Sequence, residues 1–253
     1  MTQELQHESV TDSATAVTLH ADPEHEALRF VVLLIVTVAL ILSYLAISAL
    51  IRALAVQGLL DYLVPLSCAG AFPLAMGVSW YVEQRLKQVW HSGRRITLHE
   101  QGIEASDGEE QSVSLTWADN LTYLNWYFKL SGYKRGGRER RVASNWVCLA
   151  CQLQQDEQRV IVYSYMPPKQ ADLWIHGARH GFRFTPIMPA VLYDHSLSTR
   201  LGPPVRPRVP ANILGGKDGH YWLAEQRRWY EGFELTPADF ATLMQAVAMQ
   251  TGI

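Results

Sequence analysis

Cysteine is scarce in this chain: its 253 residues hold three, Cys68, Cys148 and Cys151. Cys68 lies inside a long apolar run, so the set suits a reducing compartment and builds no disulfide framework. Catalytic signatures are missing too. There is no Gly-x-Ser-x-Gly elbow, no His-Glu-x-x-His pair and no phosphate-binding loop. The stretch Gly215-Gly216-Lys217-Asp218-Gly219 is glycine-rich, but it does not lead from a strand into a helix and reads as a turn. Net charge is also small, at -2, and residues 96–253 balance sixteen basic against sixteen acidic side chains. That balance gives no support to nucleic-acid binding, which usually shows a basic domain or stripe.

What the chain does have is two long stretches without any charge. Residues 30–51 form a 22-residue run bounded by Arg29 and Arg52, and residues 62–82 form a second of 21. A helix rising about 1.5 Å per residue spans about 33 Å over the first run, enough for a hydrocarbon core of about 30 Å. The second run contains Pro65 and Pro73, which kink helices, and small residues (Ala69, Gly70, Ala71, Ala75, Gly77) that let helices approach closely. Tyr62, Trp80 and Tyr81 fall at its ends, where amphipathic rings favour the headgroup layer. A cleaved signal peptide is the alternative for the first run, and Ala53-Leu54-Ala55 offers a small-x-small site. Residues 1–29, however, carry six carboxylates and one Arg, the opposite of a basic n-region. The expectation is a two-helix transmembrane hairpin over residues 29–83, preceded by a disordered acidic tail, 1–28.

Orientation follows from the flanking cations. Arg85, Lys87, Arg94 and Arg95 follow the second run against a single Glu83, whereas residues 53–61 between the runs have no Lys or Arg. Positive flanks stay cytoplasmic, which places both termini inside and the chain in the cytoplasmic membrane as a multi-pass protein.

After Arg95 the apolar period becomes two. Ile96 and Leu98, Ile103 and Ala105, then Val113, Leu115 and Trp117 alternate, with a break near Gly102. Leu124, Trp126, Phe128 and Leu130 follow, then Val147, Leu149, Cys151 and Leu153, and a last strand over residues 160–165. Consecutive strands with short turns indicate an antiparallel meander. Residues 169–180 read as a helix closed by Gly181, and the Pro- and Gly-rich residues 182–219 read as a linker. The chain ends in an amphipathic helix. Thr236 is its N-cap, Pro237 its N1 residue and Asp239 its N3 residue; Phe240, Leu243, Met244 and Val247 form one face, and Gly252 ends it.

The order of hairpin, basic flank and strands RITLHEQGIEAS, SLTWADNLTYL and VIVYSYMPPKQADLWI resembles the bacterial pleckstrin-homology-like membrane proteins. Trp117 and Asp119 match a Trp-acidic step in that family's second strand, and Pro168-Lys169 matches the Pro-Lys step before its closing helix. The resemblance covers about residues 30–182. It implies a cytoplasmic α+β domain, a strongly bent antiparallel barrel over residues 94–182 plugged by one helix, with binding or scaffolding as its role. Residues 183–253 become a linker and C-terminal helical extension, and either 169–180 or 236–249 closes the barrel.

Three groups of side chains are candidate sites. Between two strands, Lys134, Arg135, Arg138, Arg140 and Arg141 surround a single anion, Glu139. Anionic lipid headgroups attract such a segment at about 1 kcal/mol per basic residue near the surface; the alternative is a solvated hairpin tip kept basic for solubility. Cys148, Cys151, His176 and His180 have the ligand types of a zinc site. Against this, residues i and i+3 of a strand point to opposite faces, so two apolar strand residues and two surface histidines is the reading that prevails. Third, Tyr165, Trp174, Tyr221, Trp222, Trp229, Tyr230 and Phe233 are read as core before partner interface. The expected function is non-enzymatic and needs no cofactor: a membrane-anchored module that recognises anionic lipid or a membrane-protein partner. A metal-dependent sensor or enzyme on the Cys and His residues is the rival, and an accessory subunit of a larger membrane complex is a third reading.

Overall fold

Alternation of apolar and polar side chains builds most of the strands in the computed structural model, which describes residues 16–54, 58, 60–108, 111–117, 120–131, 135, 139, 141–177, 181–192 and 208–252. The elements in chain order are β1 (Val17–His20), α1 (Glu26–Leu54), α2 (Leu63–Val89), β2 (Arg95–His99), β3 (Gly102–Ser106), β4 (Ser112–Thr116), β5 (Thr122–Lys129), β6 (Val147–Gln155) and β7 (Gln158–Met166). They continue with α3 (Pro168–Ile175), β8 (Thr185–Pro186), α4 (Ala211–Leu214), α5 (Gly219–Glu231), β9 (Phe233–Glu234) and α6 (Pro237–Thr251). The chain divides into two units, Asp22–Ser92 and a second made of the residues on either side of it.

In the first unit, α1 and α2 are long and apolar enough to cross a bilayer. Side chains such as Phe30, Leu33, Leu42 and Leu50 on α1, and Phe72 and Trp80 on α2, are exposed. The buried stripe of α2 is Ser67, Ala71, Ala75 and Ser79, one small residue per turn. Small side chains let the two helices meet closely, and Ser48 Oγ donates to Ser67 Oγ across the contact at 2.9 Å. A Cβ on Gly70 would come within 2.9 Å of Ile47 Cδ1. Gly70, Ala71 and Ala75 therefore serve packing inside the hairpin, whereas Ala69 and Gly77 are exposed. At its base Lys87 pairs with Glu24 at 2.8 Å and Glu83 at 2.9 Å, while the His25 imidazole bonds the Trp90 carbonyl oxygen at 3.3 Å.

The second unit contains two sheets. The first has the order β1-β2-β3-β4, antiparallel throughout. Its first strand precedes the hairpin and its second follows it, with Val17 opposite Leu98 and His20 opposite Arg95. Residues 17–20, expected inside a disordered tail, are thus a strand, and Leu19 and Ala21 join the core. Gly102 closes the β2–β3 hairpin opposite His99; a Cβ there would run into the Leu115 carbonyl oxygen.

The second sheet has the order β8-β5-β6-β7-β9. Its three central strands are antiparallel, whereas the two-residue edges β8 and β9 run parallel to β5 and β7. Two sheets, one antiparallel and one mixed, replace the expected single closed barrel among the described residues. The parallel edges explain the difference, because they come from chain returning after long excursions, and a meander supplies only antiparallel neighbours.

One core fills the space between the sheets. Ile96, Ile103 and Leu115 enter from the first sheet; Val147, Leu149, Cys151, Leu153, Val160 and Val162 enter from the second. Phe240, Leu243, Met244 and Val247 of α6 are fully buried in it, and α3 adds Ala171 and Trp174, whose ring meets Phe240 edge-on at 5.8 Å. Both helices expected as alternatives therefore contribute. α6 begins as the sequence suggests: Thr236 Oγ1 accepts from the Asp239 N–H at 3.2 Å and donates to its carboxylate at 2.8 Å. It ends at Gly252, left-handed at φ 69°. Residues 183–253, expected as linker and extension, also supply β8, β9 and α5.

A second core covers the opposite face of the second sheet. Trp126, Phe128, Cys148, Ala150, Ile161, Tyr163 and Tyr165 point to it, beneath Ile187, Val209, Trp222 and Ala224. The sheet is therefore buried on both faces, and seven consecutive residues from Val147 to Leu153 are buried.

Candidate binding site

The basic segment between β5 and β6 is held from inside by its only carboxylate. Glu139 is fully buried, and its Oε1 accepts from Arg228 Nη2 at 2.8 Å and from the Tyr165 hydroxyl at 3.0 Å. Arg228 sits on α5, 1 % exposed, and its Nε and Nη2 also donate to the two oxygens of Glu225, each at 2.8 Å. This fork-to-fork contact is the strongest form of ion pair between these groups. Glu225 Oε2 takes a further bond from the Trp126 indole at 2.9 Å. The guanidinium lies 4.5 Å from the Tyr163 ring centroid and 5.3 Å from that of Phe128. One cation thus serves two carboxylates in an aromatic box on the sheet.

Electrostatics agree with the geometry. Burial is the largest single influence on Arg228 and opposes its charge, but the Glu225 carboxylate with its hydrogen bond, together with Cys148 and Tyr165, outweighs it and holds the guanidinium pKa above its ordinary value. Burial, opposed by Arg228 and reinforced by Glu139, pushes the Tyr165 phenol well up. Tyr165 therefore stays a neutral donor to Glu139.

With Glu139 turned inward, the segment has no other anion to offset its cations. Arg141 is exposed, and Arg135 is half-buried, its Nη1 donating to the Val142 carbonyl at 2.6 Å. Lys134, Arg138 and Arg140 lie outside the described residues.

Beside the roots of this segment is an open cleft of about 390 Å³. Pro168, Asp172, Ile175 and His176 line one wall, spaced as one face of α3 and its C-cap. Tyr127, Lys129 and Val147, from the ends of β5 and β6, and Ser131, Ser144 and Asn145 complete the lining.

The candidate metal ligands are not brought together. Cys148 faces the outer core and Cys151 the inner one, as the two-residue period of a strand dictates. Burial also pushes the Cys151 thiol far up, away from the thiolate a metal needs. α3 stops at Ile175, so His176 is its C-cap and no helix continues through it; the chain turns at Gly177, whose added Cβ would strike the Leu173 carbonyl oxygen. His180 and Asp119 lie outside the described residues. Trp117 donates its indole N–H to the His99 carbonyl at 2.8 Å, a contact within the first sheet.

Of the aromatic group, Trp222 and Phe233 are core, Tyr221 accepts from Thr185 Oγ1 at 2.8 Å, and Tyr230 is 71 % exposed. Two positions that matter to the fold give little sign of it in the sequence. Arg228 is a charged residue within a core and so breaks the apolar pattern that marks one. Arg94, counted only as a flanking cation, caps α5 by donating to the Glu231 and Gly232 carbonyls, both at 3.0 Å, and stacks on Phe233 at 4.1 Å.

Comparison with family models, with curated proteins and with solved structures returns no match for this chain.

Proposed function

We propose that the chain is a membrane-anchored, non-enzymatic binding module with a pleckstrin-homology-like domain, whose basic segment between β5 and β6 recognises anionic lipid headgroups. The observation that carries this reading is the burial of Glu139 on Arg228. It removes the segment's one negative charge from the surface and anchors the segment at its middle, leaving Lys134, Arg135, Arg138, Arg140 and Arg141 as its charged groups. The pairing of β1 with β2 supports the anchor. Two paired strands lie on one side of a bilayer, so the chain between them crosses it an even number of times. A signal peptide cleaved after Ala55 would also sever β1 from its partner. Two crossings and the basic flank then put both termini in the cytoplasm. A metal-dependent reading built on Cys148, Cys151, His176 and His180 loses ground because the two thiols point apart.

The test uses the full chain in nanodiscs of mixed phosphatidylcholine and phosphatidylglycerol, with retained lipids counted by native mass spectrometry. Wild type should retain the anionic lipid preferentially, and the preference should fall as salt rises. Charge reversal at Arg138, Arg140 and Arg141 should reduce it at least about tenfold, since each basic residue is worth about 1 kcal/mol near the surface. Equal retention of both lipids, or no response to the reversals, refutes lipid recognition.

A further inference from the structure

The cleft beside α3 has a chemistry that lipid attraction to the basic segment does not use. Its lining contains one ammonium group, Lys129, and one carboxylate, Asp172. Ser131, Ser144, Asn145 and His176 add hydrogen-bonding groups, while Tyr127, Val147, Pro168 and Ile175 supply an apolar surface. Its volume of about 390 Å³ falls in the range of small-molecule sites, about 300–1,000 Å³. These groups complement a ligand with an anion for Lys129, a cation for Asp172 and an apolar body for Tyr127, Val147 and Ile175. A plain anion or a fatty acid uses Lys129 but not Asp172.

We infer that this cleft binds a zwitterionic ligand with an apolar side chain: an aliphatic or aromatic α-amino acid, or a short peptide carrying both termini. The ligand carboxylate pairs with Lys129 and takes hydrogen bonds from Asn145 and the serine hydroxyls. Its ammonium pairs with Asp172, and its side chain packs on Tyr127, Val147 and Ile175. The polar groups fix orientation and the apolar side chains select against glycine and other polar zwitterions. The cleft is part of the folded domain alone, so the inference holds or fails independently of lipid recognition.

The test is isothermal titration of the full chain, held in phosphatidylcholine nanodiscs, with leucine, phenylalanine, dileucine, glycine, N-acetyl-leucine, leucinamide and phosphoethanolamine. Leucine, phenylalanine or dileucine should bind saturably, and glycine at least about tenfold more weakly, as an apolar side chain adds 1.5–3 kcal/mol when buried. N-acetyl-leucine lacks the cation, so it should bind wild type more weakly than leucine, and the Asp172→Asn variant should not tell the two apart. Leucinamide lacks the anion, and the Lys129→Met variant should likewise not distinguish it from leucine. The relative affinity of leucine and dileucine identifies a free amino acid or a peptide as the natural form. Both substitutions are at exposed positions, and an unchanged melting temperature shows that the fold is intact. The inference is overturned if none of leucine, phenylalanine and dileucine binds saturably. It is equally overturned if neither variant changes the discrimination, or if phosphoethanolamine binds better than any of them.

Discussion

Replacing Arg228 by alanine isolates the most concentrated electrostatic interaction among the described residues. Arg228 makes bonds of 2.8 Å to both Glu225 oxygens and to Glu139, and one of 3.3 Å to Tyr165. Its removal leaves two carboxylates in a site where Glu139 is 0 % and Glu225 5 % exposed. Breaking a buried pair typically costs about 3–5 kcal/mol, because the remaining charge stays desolvated. Two carboxylates lose one cation here, so the loss belongs at the upper end, near 5 kcal/mol. That is a large share of a domain's usual stability of about 5–15 kcal/mol. Glu139→Gln keeps an amide oxygen to accept from Arg228 and Tyr165, and should cost only about 1–2 kcal/mol. The assay is urea unfolding of the full chain in detergent, followed by the fluorescence of tryptophans that include Trp126 and Trp222 of the same core. The sign of the pH dependence checks the cause. In Arg228→Ala the stranded carboxylates have raised pKa values, so the deficit should be greatest at pH 7 and shrink as they protonate towards pH 4.5. A loss below about 1 kcal/mol at pH 7, or one that does not change with pH, refutes the claim that charge burial dominates. Replacing Arg228, Glu225 and Glu139 together by Met, Leu and Leu should recover only part of the loss. The unmatched Trp126 and Tyr165 donors then keep about 1–3 kcal/mol each of the deficit.

Arg94→Ala should cost about 2–3 kcal/mol in the same assay, from two charge-assisted bonds to the end of α5 and the stacking on Phe233. Arg94→Lys should restore little, since an ammonium cannot reproduce the fork. Burial raises the Cys151 thiol pKa above its unfolded value, so the folded state holds a proton that the unfolded chain releases. This contribution is intact below about pH 8.5 and is lost at about 1.4 kcal/mol per pH unit above it. Urea midpoints measured between pH 7 and 10 should show that limb in wild type and a flatter one in Cys151→Val.

The sequence made β2 to β5 legible because each alternates over five or more residues, β6 and β7 legible as short apolar runs bounded by a polar turn, and α6 legible through Thr236, Pro237 and Asp239. Three features escaped for physical reasons. β1 is four residues long and has only Val17 and Leu19 as a pattern, and its partner follows 74 residues of other structure. α5 hides because its inward positions 222, 225 and 228 hold Trp, Glu and Arg, so a search for apolar periodicity sees a polar segment. The double burial of the second sheet was signalled by the near-continuous run VCLAC, where Cys148 and Ala150 are as apolar as the face read as core. At the candidate site, the cations were plain in the sequence. The inward turn of Glu139 was not, because its partner lies 89 residues away on a helix that pattern reading did not find.

The hairpin is inserted between β1 and β2, so the first sheet is built from chain on both sides of it. The chain leaves and re-enters this sheet at neighbouring points, with the Ala21 N–H donating to the Arg94 carbonyl at 2.9 Å. A fragment beginning at residue 94 loses β1, exposes the edge of β2, and takes Leu19 and Ala21 out of the core. Binding measured on that fragment would report a damaged sheet, which is why lipid and ligand recognition are both to be read from the intact chain.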